Sequence, residues 1–270
     1  MAEDSSAEAA PPGVDPSVPN SARVWNYWLG GKDNYAADRG TGDHVLAALP
    51  IMGVLAREDR AFLGRAVRYV TGQGIRQFLD IGTGIPTANN THQVAQGIAP
   101  ESRIVYVDND QVVLAHARAL LTSTAEGATD YIDADLRDPG KILAAAARTL
   151  DFSQPVAVML LAILGHLGAA DDPHAIAAGL MDAVPSGSYL VISHPIDTSE
   201  EMNEAARRWN EASPVKIWPR SYAEIARFFR GLELVEPGVV QLPEWRPDSP
   251  AAEAGPGVFV PHYCGVGRKP

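Results

Sequence analysis

The sequence is poor in cysteine and in positive charge. Its single cysteine, Cys264, has no partner for an internal disulfide, which is typical of a reducing compartment. Lysine and arginine number 22 against 33 aspartate and glutamate residues, so the formal net charge is −11. Because so acidic a chain repels phosphates, the charge argues against nucleic acid as the main partner.

The sequence also lacks a long hydrophobic run. The longest, residues 156–164, has about half the length that a bilayer crossing requires. The N-terminus is acidic and has no apolar signal segment, so we predict a cytoplasmic protein with no membrane partner. Hydrophobic residues make up 46% of the 270 residues, which is enough for one large core.

A short apolar stretch followed by two glycines, QFLDIGTG at residues 77–84, predicts where a ligand binds. Its apolar residues indicate a buried parallel strand, and Gly82 and Gly84 predict a tight turn before a helix. A turn without Cβ atoms lets a ligand approach the backbone, and the positive end of the following helix dipole points at that ligand.

Two nucleotide-like ligands suit this turn, a dinucleotide and S-adenosylmethionine (SAM). A dinucleotide fingerprint needs a third glycine, which is absent from the Ile85-Pro86-Thr87 sequence. Asp80 would repel a pyrophosphate but suits the ammonium group of an amino-acid moiety. SAM is therefore the better fit, and an NAD-dependent oxidoreductase is the weaker alternative.

Acidic residues accompany three successive predicted strands. Asp80 lies in the first, Asp108 ends the second at residues 103–108, and Asp135 ends the third near residues 131–135. Asp108 is placed to accept hydrogen bonds from ribose hydroxyls, and Asp135 to accept one from the adenine amino group. Each acid alone also suits a turn or a helix cap, but the three together favour SAM.

The remaining pattern predicts an α/β protein with three parts. Residues 1–19 are predicted to be a flexible tail, residues 20–74 a helical segment, and residues 75–270 a SAM-binding domain. In the last part strands and helices alternate, which predicts a doubly wound sheet of seven strands with an antiparallel edge. Trp25 and Trp28 share a face of the first helix, where packing is favoured over a role as a lid.

The long helix predicted at residues 54–71 carries interleaved charges. They are Arg57, Glu58, Asp59, Arg60, Arg65 and Arg68. A phosphate-binding strip and a solvated face both have this composition. The alternation of sign favours the solvated face.

With these residues in view, the chain resembles a bacterial family of SAM-dependent methyltransferases that was first catalogued as a domain of unknown function. The resemblance covers nearly everything from Ser21 to Lys269. It rests on SARVWNYWLGGKDNYAADR (21–39), RQFLDIGTGIPTANNTHQVAQ (76–96), RIVYVDND (103–110), DADLRDP (133–139), RFFRGLELVEPGVVQLPEWRPD (227–248) and YCGVGRK (263–269).

The resemblance implies a Rossmann-like class I methyltransferase fold that binds SAM and releases S-adenosylhomocysteine. It implies cofactor-binding residues along the chain. At the methionine end these are Asp80, Gly82 and Gly84, with Tyr27, Gly31 and Asn34 from the N-terminal segment; at the ribose, Asp108; at the adenine, Asp135 and the backbone of Leu136. Asn109 is a further cofactor-binding residue.

Three histidines are candidates for a general base. His166 follows the fourth predicted strand, His194 follows the fifth, and His92 lies in the helix after the glycine turn. Histidine has the right unperturbed pKa for this work, although each one also suits a loop or a core position. We select His166 and His194 as the catalytic candidates and predict no metal site.

The methyl acceptor is predicted to be a small molecule, because the acidic chain has no appended basic module. A non-catalytic SAM-binding or regulatory protein is the alternative. The sequence does not separate these two functions.

Overall fold

A computed structural model gives the fold and describes residues 14–120, 122–248 and 258–270. Most of the predicted tail, at 1–13, lies outside the described residues. Residues 14–19 of that tail contact the domain: Val14 packs near Ile85, and Arg23 Nη2 donates a hydrogen bond to the Val18 carbonyl over 2.6 Å.

Eight strands in the described residues form one sheet, in the order β3-β2-β1-β4-β5-β8-β6, with β7 also pairing with β8. Strands β1 to β5 are parallel, and β8 is antiparallel to β5. The strands are β1 (Gln77–Ile81), β2 (Arg103–Asp108), β3 (Ala128–Asp133), β4 (Ala157–Leu161), β5 (Tyr189–Pro195), β6 (Glu233–Leu234), β7 (Val240–Gln241) and β8 (His262–Arg268).

This sheet confirms the predicted doubly wound α/β fold with an antiparallel strand at one end. Only the two-residue strands β6 and β7 lie beyond β8. The sequence predicted seven strands, and the eighth arises because two separate short strands, β6 and β7, form between residues 233 and 241. Two residues are too few to show an alternating pattern.

The helices pack on both faces of the sheet, and none in the described part of the chain is long and apolar enough to span a membrane. They are α1 (Ser21–Trp28), α2 (Ala36–Leu46), α3 (Met52–Gly72), α4 (Thr91–Ile98), α5 (Gln111–Leu120), α6 (Pro139–Ala146), α7 (Pro173–Asp182), α8 (Glu200–Ala212) and α9 (Tyr222–Arg227). Asn20, Asp138 and Ser221 cap α1, α6 and α9, and the side chain of each accepts a hydrogen bond from the first turn of its helix.

Alternate side chains of the central strands point into two cores. Phe78 joins a cluster with Phe62 and Trp245 on the α3 side, whereas Leu79 joins a cluster with Ile142 on the opposite side. Strand side chains alternate between faces, and a parallel sheet covered by helices buries both. This explains why Phe78 and Leu79, which are adjacent in β1 and face opposite sides, are both apolar.

The interpretation of the charges on α3 as a solvated face holds for Arg57 and Arg68, which are exposed, but is wrong for three others. Glu58, Asp59 and Arg65 are buried. Arg65 Nε donates to the carbonyl of Trp245 over 2.8 Å, and its Nη2 donates to the carbonyl of Leu242 over 2.6 Å. The chain around the 3₁₀ turn Leu242–Glu244 covers this side of α3, a tertiary contact that the helical period alone does not reveal.

Candidate active site

A cleft lies at the carboxyl ends of β1, β2 and β4. The space within it, which continues into open solvent, is about 870 Å³. The glycine turn after β1 forms one wall, and residues of α1 and α3 form another. Ligands of open α/β sheets bind at this edge, so the fold places the cleft where the sequence predicted a cofactor.

The glycine turn has the conformation that its sequence predicts. Gly82 and Gly84 have φ angles of 77° and 67°, in the left-handed region that favours glycine. A Cβ on Gly82 would lie 2.6 Å from the side chain of Ile163, whereas one on Gly84 would meet no atom within 4 Å. The space in front of Gly84 is therefore open to a ligand.

Asp80 and Asp108 line the cleft with carboxylates that are already oriented. Asp80 Oδ2 accepts from the Thr91 hydroxyl over 2.6 Å. Asp108 Oδ2 accepts from the Gly84 amide, and its Oδ1 from the Asp110 amide, each over 2.9 Å. Burial raises the pKa of each carboxyl to about 6. Each carboxylate retains lone pairs for a ligand.

Asp135, which was predicted to hold the adenine, lies beside the cleft and not in its wall. Asn109 lines it, but Asp135 and Leu136 do not. Asp135 lies beside the cleft, with Oδ2 3.5 Å from Asn109 Nδ2 and 3.2 Å from the guanidinium of Arg137. The three strand-end acids therefore follow one edge of the sheet, with Asp135 outermost.

Tyr27, Gly31 and Asn34 are not among the described residues that line the cleft. The Tyr27 hydroxyl donates to Asp43 Oδ1 over 2.6 Å, and Asn34 Nδ2 donates to Asn26 Oδ1 and to the Gly31 carbonyl, each over 3.0 Å. These contacts stabilise the connection between α1 and α2. The N-terminal segment reaches the cleft through other residues, among them Ser21 and Trp25.

Sequence reasoning missed Asp59 and Arg60, two adjacent residues of α3 that line the cleft. Arg60 Nη2 donates to the carbonyls of Ala88 and Asn89 over 3.2 Å. Its buried Nε and the buried Oδ1 of Asp59 have no hydrogen-bond partner among the described residues. Burial raises the pKa of Asp59 to about 6. In the sequence these two residues do not stand out from the other charged residues of the same helix.

These groups fit SAM. Orphaned buried polar atoms are rare in proteins, and a ligand with charged and polar groups would satisfy them. Asp80 and Asp59 present negative charge to an ammonium group, and Arg60 presents a donor to a carboxylate. Asp108 presents acceptors to ribose hydroxyls.

A second, largely apolar cavity adjoins the cleft and has an empty volume of about 570 Å³. Residues of α1, α3 and α8 and of the ends of β5 and β8 form its wall. They are Ser21, Trp25, Trp28, Val45, Met52, Ala162, His166, Pro195, Met202, Ala205, Ala206, Trp209, Ile217 and His262. Ser21, Trp25, Ala162 and His166 also line the cleft, so the two spaces meet there.

His166, the first catalytic candidate, lies at this junction. Its Nδ1 is 3.0 Å from the carbonyl oxygen of Lys216. Because a carbonyl only accepts, Nδ1 carries the proton and Nε2 keeps its lone pair. Burial lowers the pKa of His166, which favours the neutral ring.

His194, the second catalytic candidate, is fully buried and lines neither space. It was expected to follow the fifth strand, but β5 continues through it to Pro195 because β8 pairs alongside. Its Nε2 lies 2.6 Å from a guanidinium nitrogen of Arg220, and burial lowers its pKa to about 3. Its position therefore does not support contact with a substrate.

His92 is a core histidine. It is buried, and the hydroxyl of Tyr106 lies 2.9 Å from its Nδ1 and accepts from its backbone amide over 2.8 Å. It lines neither the cleft nor the apolar cavity. Of the three histidine candidates, the structure brings only His166 to the cleft.

Comparisons with known proteins bear on the fold and the family. A putative methyltransferase from Thermobifida fusca YX is 42% identical, with a TM-score of 0.88 over 96% of this chain and 98% of that one. A magnesium protoporphyrin IX methyltransferase from Synechocystis PCC 6803, solved with bound SAM, is 11% identical with a TM-score of 0.54 over 97% of this chain and 100% of that one, which shows a shared fold alone. No curated protein matches the sequence.

Two further findings give the family. A DUF574 family protein from Streptomyces avermitilis MA-4680 is 44% identical, with a TM-score of 0.90 over 95% of this chain and 99% of that one. The profile described as S-adenosyl methyltransferase matches residues 7–270. The chain therefore belongs to the S-adenosyl methyltransferase family, whose cofactor is S-adenosylmethionine.

Proposed function

We propose that this protein transfers a methyl group from SAM, bound in the cleft, to a small molecule bound in the apolar cavity. The observation that carries the proposal is the junction at Trp25, Ala162 and His166, where the two spaces meet. In-line transfer needs the reacting atoms about 3–3.5 Å apart, which a direct opening between donor and acceptor sites permits. Family membership favours SAM over the dinucleotide alternative.

In this proposal Asp80 holds the ammonium group of the cofactor, Arg60 its carboxylate and Asp108 its ribose hydroxyls. The part of the cleft at Asn109, which has Asp135 beside it, receives the adenine. When bound, SAM supplies an electrophilic methyl group on a sulfonium sulfur. The contribution of the protein is alignment and the exclusion of water.

His166 is the proposed general base for an acceptor that must lose a proton. Nε2 takes that proton while the acceptor atom bonds to the methyl carbon and the carbon–sulfur bond breaks. The Lys216 carbonyl stabilises the resulting imidazolium through Nδ1. A neutral His166 is required for this step, and its lowered pKa provides it near neutral pH.

We further propose that residues 20–74 act as a cap on the SAM-binding domain of residues 75–270. Trp25 of α1 and Met52 of α3 contribute to the cavity wall, so these helices enclose the acceptor. A largely apolar cavity with no charged side chain in its described wall fits a small molecule better than a macromolecule.

Two measurements test this function. Titration calorimetry with SAM tests the cleft, and mass spectrometry of S-adenosylhomocysteine tests transfer in the presence of a cell extract separated at about 1 kDa. We expect SAM to bind and the product to form only with the low-mass fraction. Product formation that requires the high-mass fraction would refute a small acceptor, and bound SAM without product from either fraction would favour the non-catalytic alternative.

Matched histidine variants separate the role of His166 from general damage. With the active fraction, His166→Ala should lower the rate about a hundredfold, in the range of general base catalysis, with little change in SAM affinity. His174→Ala is the control, because His174 stacks on Phe228 outside both spaces, with ring centroids 4.2 Å apart. An equal rate loss in both variants would argue against the base.

A further inference from the structure

The side chain of His262 is polar, buried and unsatisfied. It begins β8 opposite Pro195 and is 2% exposed. Neither of its ring nitrogens has a hydrogen-bond partner among the described residues. A buried polar group without a partner opposes folding, so such groups are rare unless a ligand or water satisfies them.

The place of His262 indicates which ligand would satisfy it. The residue lines the apolar cavity and does not line the cofactor cleft. Burial and the neighbouring His194 hold the pKa of His262 well below its usual range, so the ring is neutral. A neutral imidazole offers one donor and one acceptor, which a hydroxyl group matches in either direction.

The rest of the wall restricts the ligand further. Trp25, Trp28 and Trp209 contribute aromatic faces, with centroid distances of 5.8 Å between the first two and 6.0 Å between the last two. No arginine, lysine, aspartate or glutamate is among the described residues of this wall. A charged ligand would therefore lack a counter-ion, whereas a flat neutral ring would pack against the indoles.

We infer that the apolar cavity binds a small, neutral aromatic alcohol whose hydroxyl group hydrogen-bonds to His262. This inference rests on the proposed function, since it assigns that molecule as the methyl acceptor. His262 lines the apolar cavity and not the cleft that holds the methyl donor, so we assign the hydroxyl that it binds as an anchor. The atom that receives the methyl group is a different one and lies near His166. His262 is thus a specificity-determining residue.

A pair of fluorinated probes tests the inference on the whole protein without SAM. Titrations of 4-fluorophenol and 4-fluorotoluene, followed by ¹⁹F NMR, compare a hydroxyl with a methyl group of similar size. We expect the wild type to bind the phenol about tenfold more tightly, as one net hydrogen bond predicts. Fluorocyclohexanol, which has the hydroxyl but no aromatic ring, should bind more weakly than the phenol.

Substitutions at His262 identify the group responsible. His262→Phe keeps a flat ring without nitrogens and should abolish the preference for the phenol, while His262→Gln keeps a donor and an acceptor and should retain it. His174→Phe, outside the cavity, should leave the preference unchanged. Thermal melts of each variant report folding, and the wild-type preference stands as a test even if His262→Phe fails to fold.

The outcomes separate this inference from the proposed function. Equal binding of the phenol and the toluene, or tighter binding of the cyclohexanol, would overturn the inference. A preference that persists in folded His262→Phe would do the same. SAM titrations on the same samples decide the cofactor site independently, because His262 does not line the cleft.

Discussion

The side chain of Asp108 connects the glycine turn to the start of α5. It accepts hydrogen bonds from the amides of Gly84 and Asp110, and it faces the cleft. Asp108→Ala should weaken SAM binding about a hundredfold, because charge-assisted hydrogen bonds to the ribose are lost and the turn is loosened. The melting temperature should change little, because burial disfavours this carboxylate in the free protein.

Asp108→Asn is the matched control for that substitution. It keeps the shape and one acceptor oxygen, so its SAM affinity should lie between the wild type and the alanine variant. Titration calorimetry measures both affinities. Wild-type affinity in Asp108→Ala would reject the assignment of Asp108 to the ribose.

The two glycines of the turn should respond differently to alanine. Both substitutions carry the strain of a left-handed residue, about 1 kcal/mol. Gly82→Ala also pushes against Ile163, so it should lower the melting temperature more. Gly84→Ala meets no protein atom and instead narrows the cleft, so it should mainly weaken SAM binding. Thermal melts and titrations that rank the two variants the other way would contradict this assignment.

Single residues were predictable where local sequence controls them. Asp80 and Asp108 could be placed because an acid at the end of an apolar strand must lie at the sheet edge. Arg60 could not, because its place in the cleft depends on how α3 packs on the sheet. His262 gave no local signal, since only the pairing of β8 with β5 brings it to the cavity.

At the scale of elements, α1 and α2 are joined by one buried carboxylate. Asp38 Oδ1 accepts from the amide of Asn20 over 2.9 Å, and its Oδ2 accepts from the amide of Tyr35 over 2.8 Å. Oδ2 also lies 3.3 Å from Arg23 Nε in an ion pair that is almost fully buried. The start of α1, which reaches the cleft, is thereby positioned by a residue of α2.

Asp38→Asn should loosen this pair of helices. The substitution leaves the Arg23 charge buried without its carboxylate, which destabilises by about 3 kcal/mol. Hydrogen exchange should quicken in α1 and α2 more than in β1 to β5, and SAM should bind more weakly. Arg207→Ala removes an exposed arginine of α8 that pairs with Glu204. It should change neither the hydrogen exchange of α1 and α2 nor the affinity for SAM. An equal increase of hydrogen exchange in α1, α2 and the strands of Asp38→Asn would contradict this role of Asp38.

Element boundaries were predictable where caps define them and less so where pairing does. Asn90 with Gln93 and Ser221 with Glu224 form the capping boxes that begin α4 and α9. The end of β5 was misplaced by two residues, since β8 extends it through Pro195. That difference moved His194 from a predicted loop into the core.

At the scale of the whole molecule, negative charge converges on the cleft. Asp59, Asp80 and Asp108 all line it, and burial raises the pKa of each to about 6. Their pKa in the unfolded chain is 3.8. The folded protein therefore favours the protonated form of these carboxyl groups. The stability that they contribute is fully present below about pH 3.8 and is lost as the pH rises through 6. In the free protein, the acidic side chains that line the cleft outnumber the basic ones.

A cationic cofactor favours the ionised form of these three carboxyl groups. SAM binding should therefore release protons near pH 6. The ammonium and sulfonium groups favour the ionised carboxylates, while Arg60 is the charged donor that faces them. SAM affinity should rise between pH 5 and 7, by up to about tenfold per pH unit for each carboxyl that must ionise, and level off above pH 7. Calorimetry at pH 6 in two buffers of different ionisation enthalpy measures the protons released. Asp108→Asn should release fewer, and proton uptake by the wild type would show that these carboxylates do not bind the cofactor.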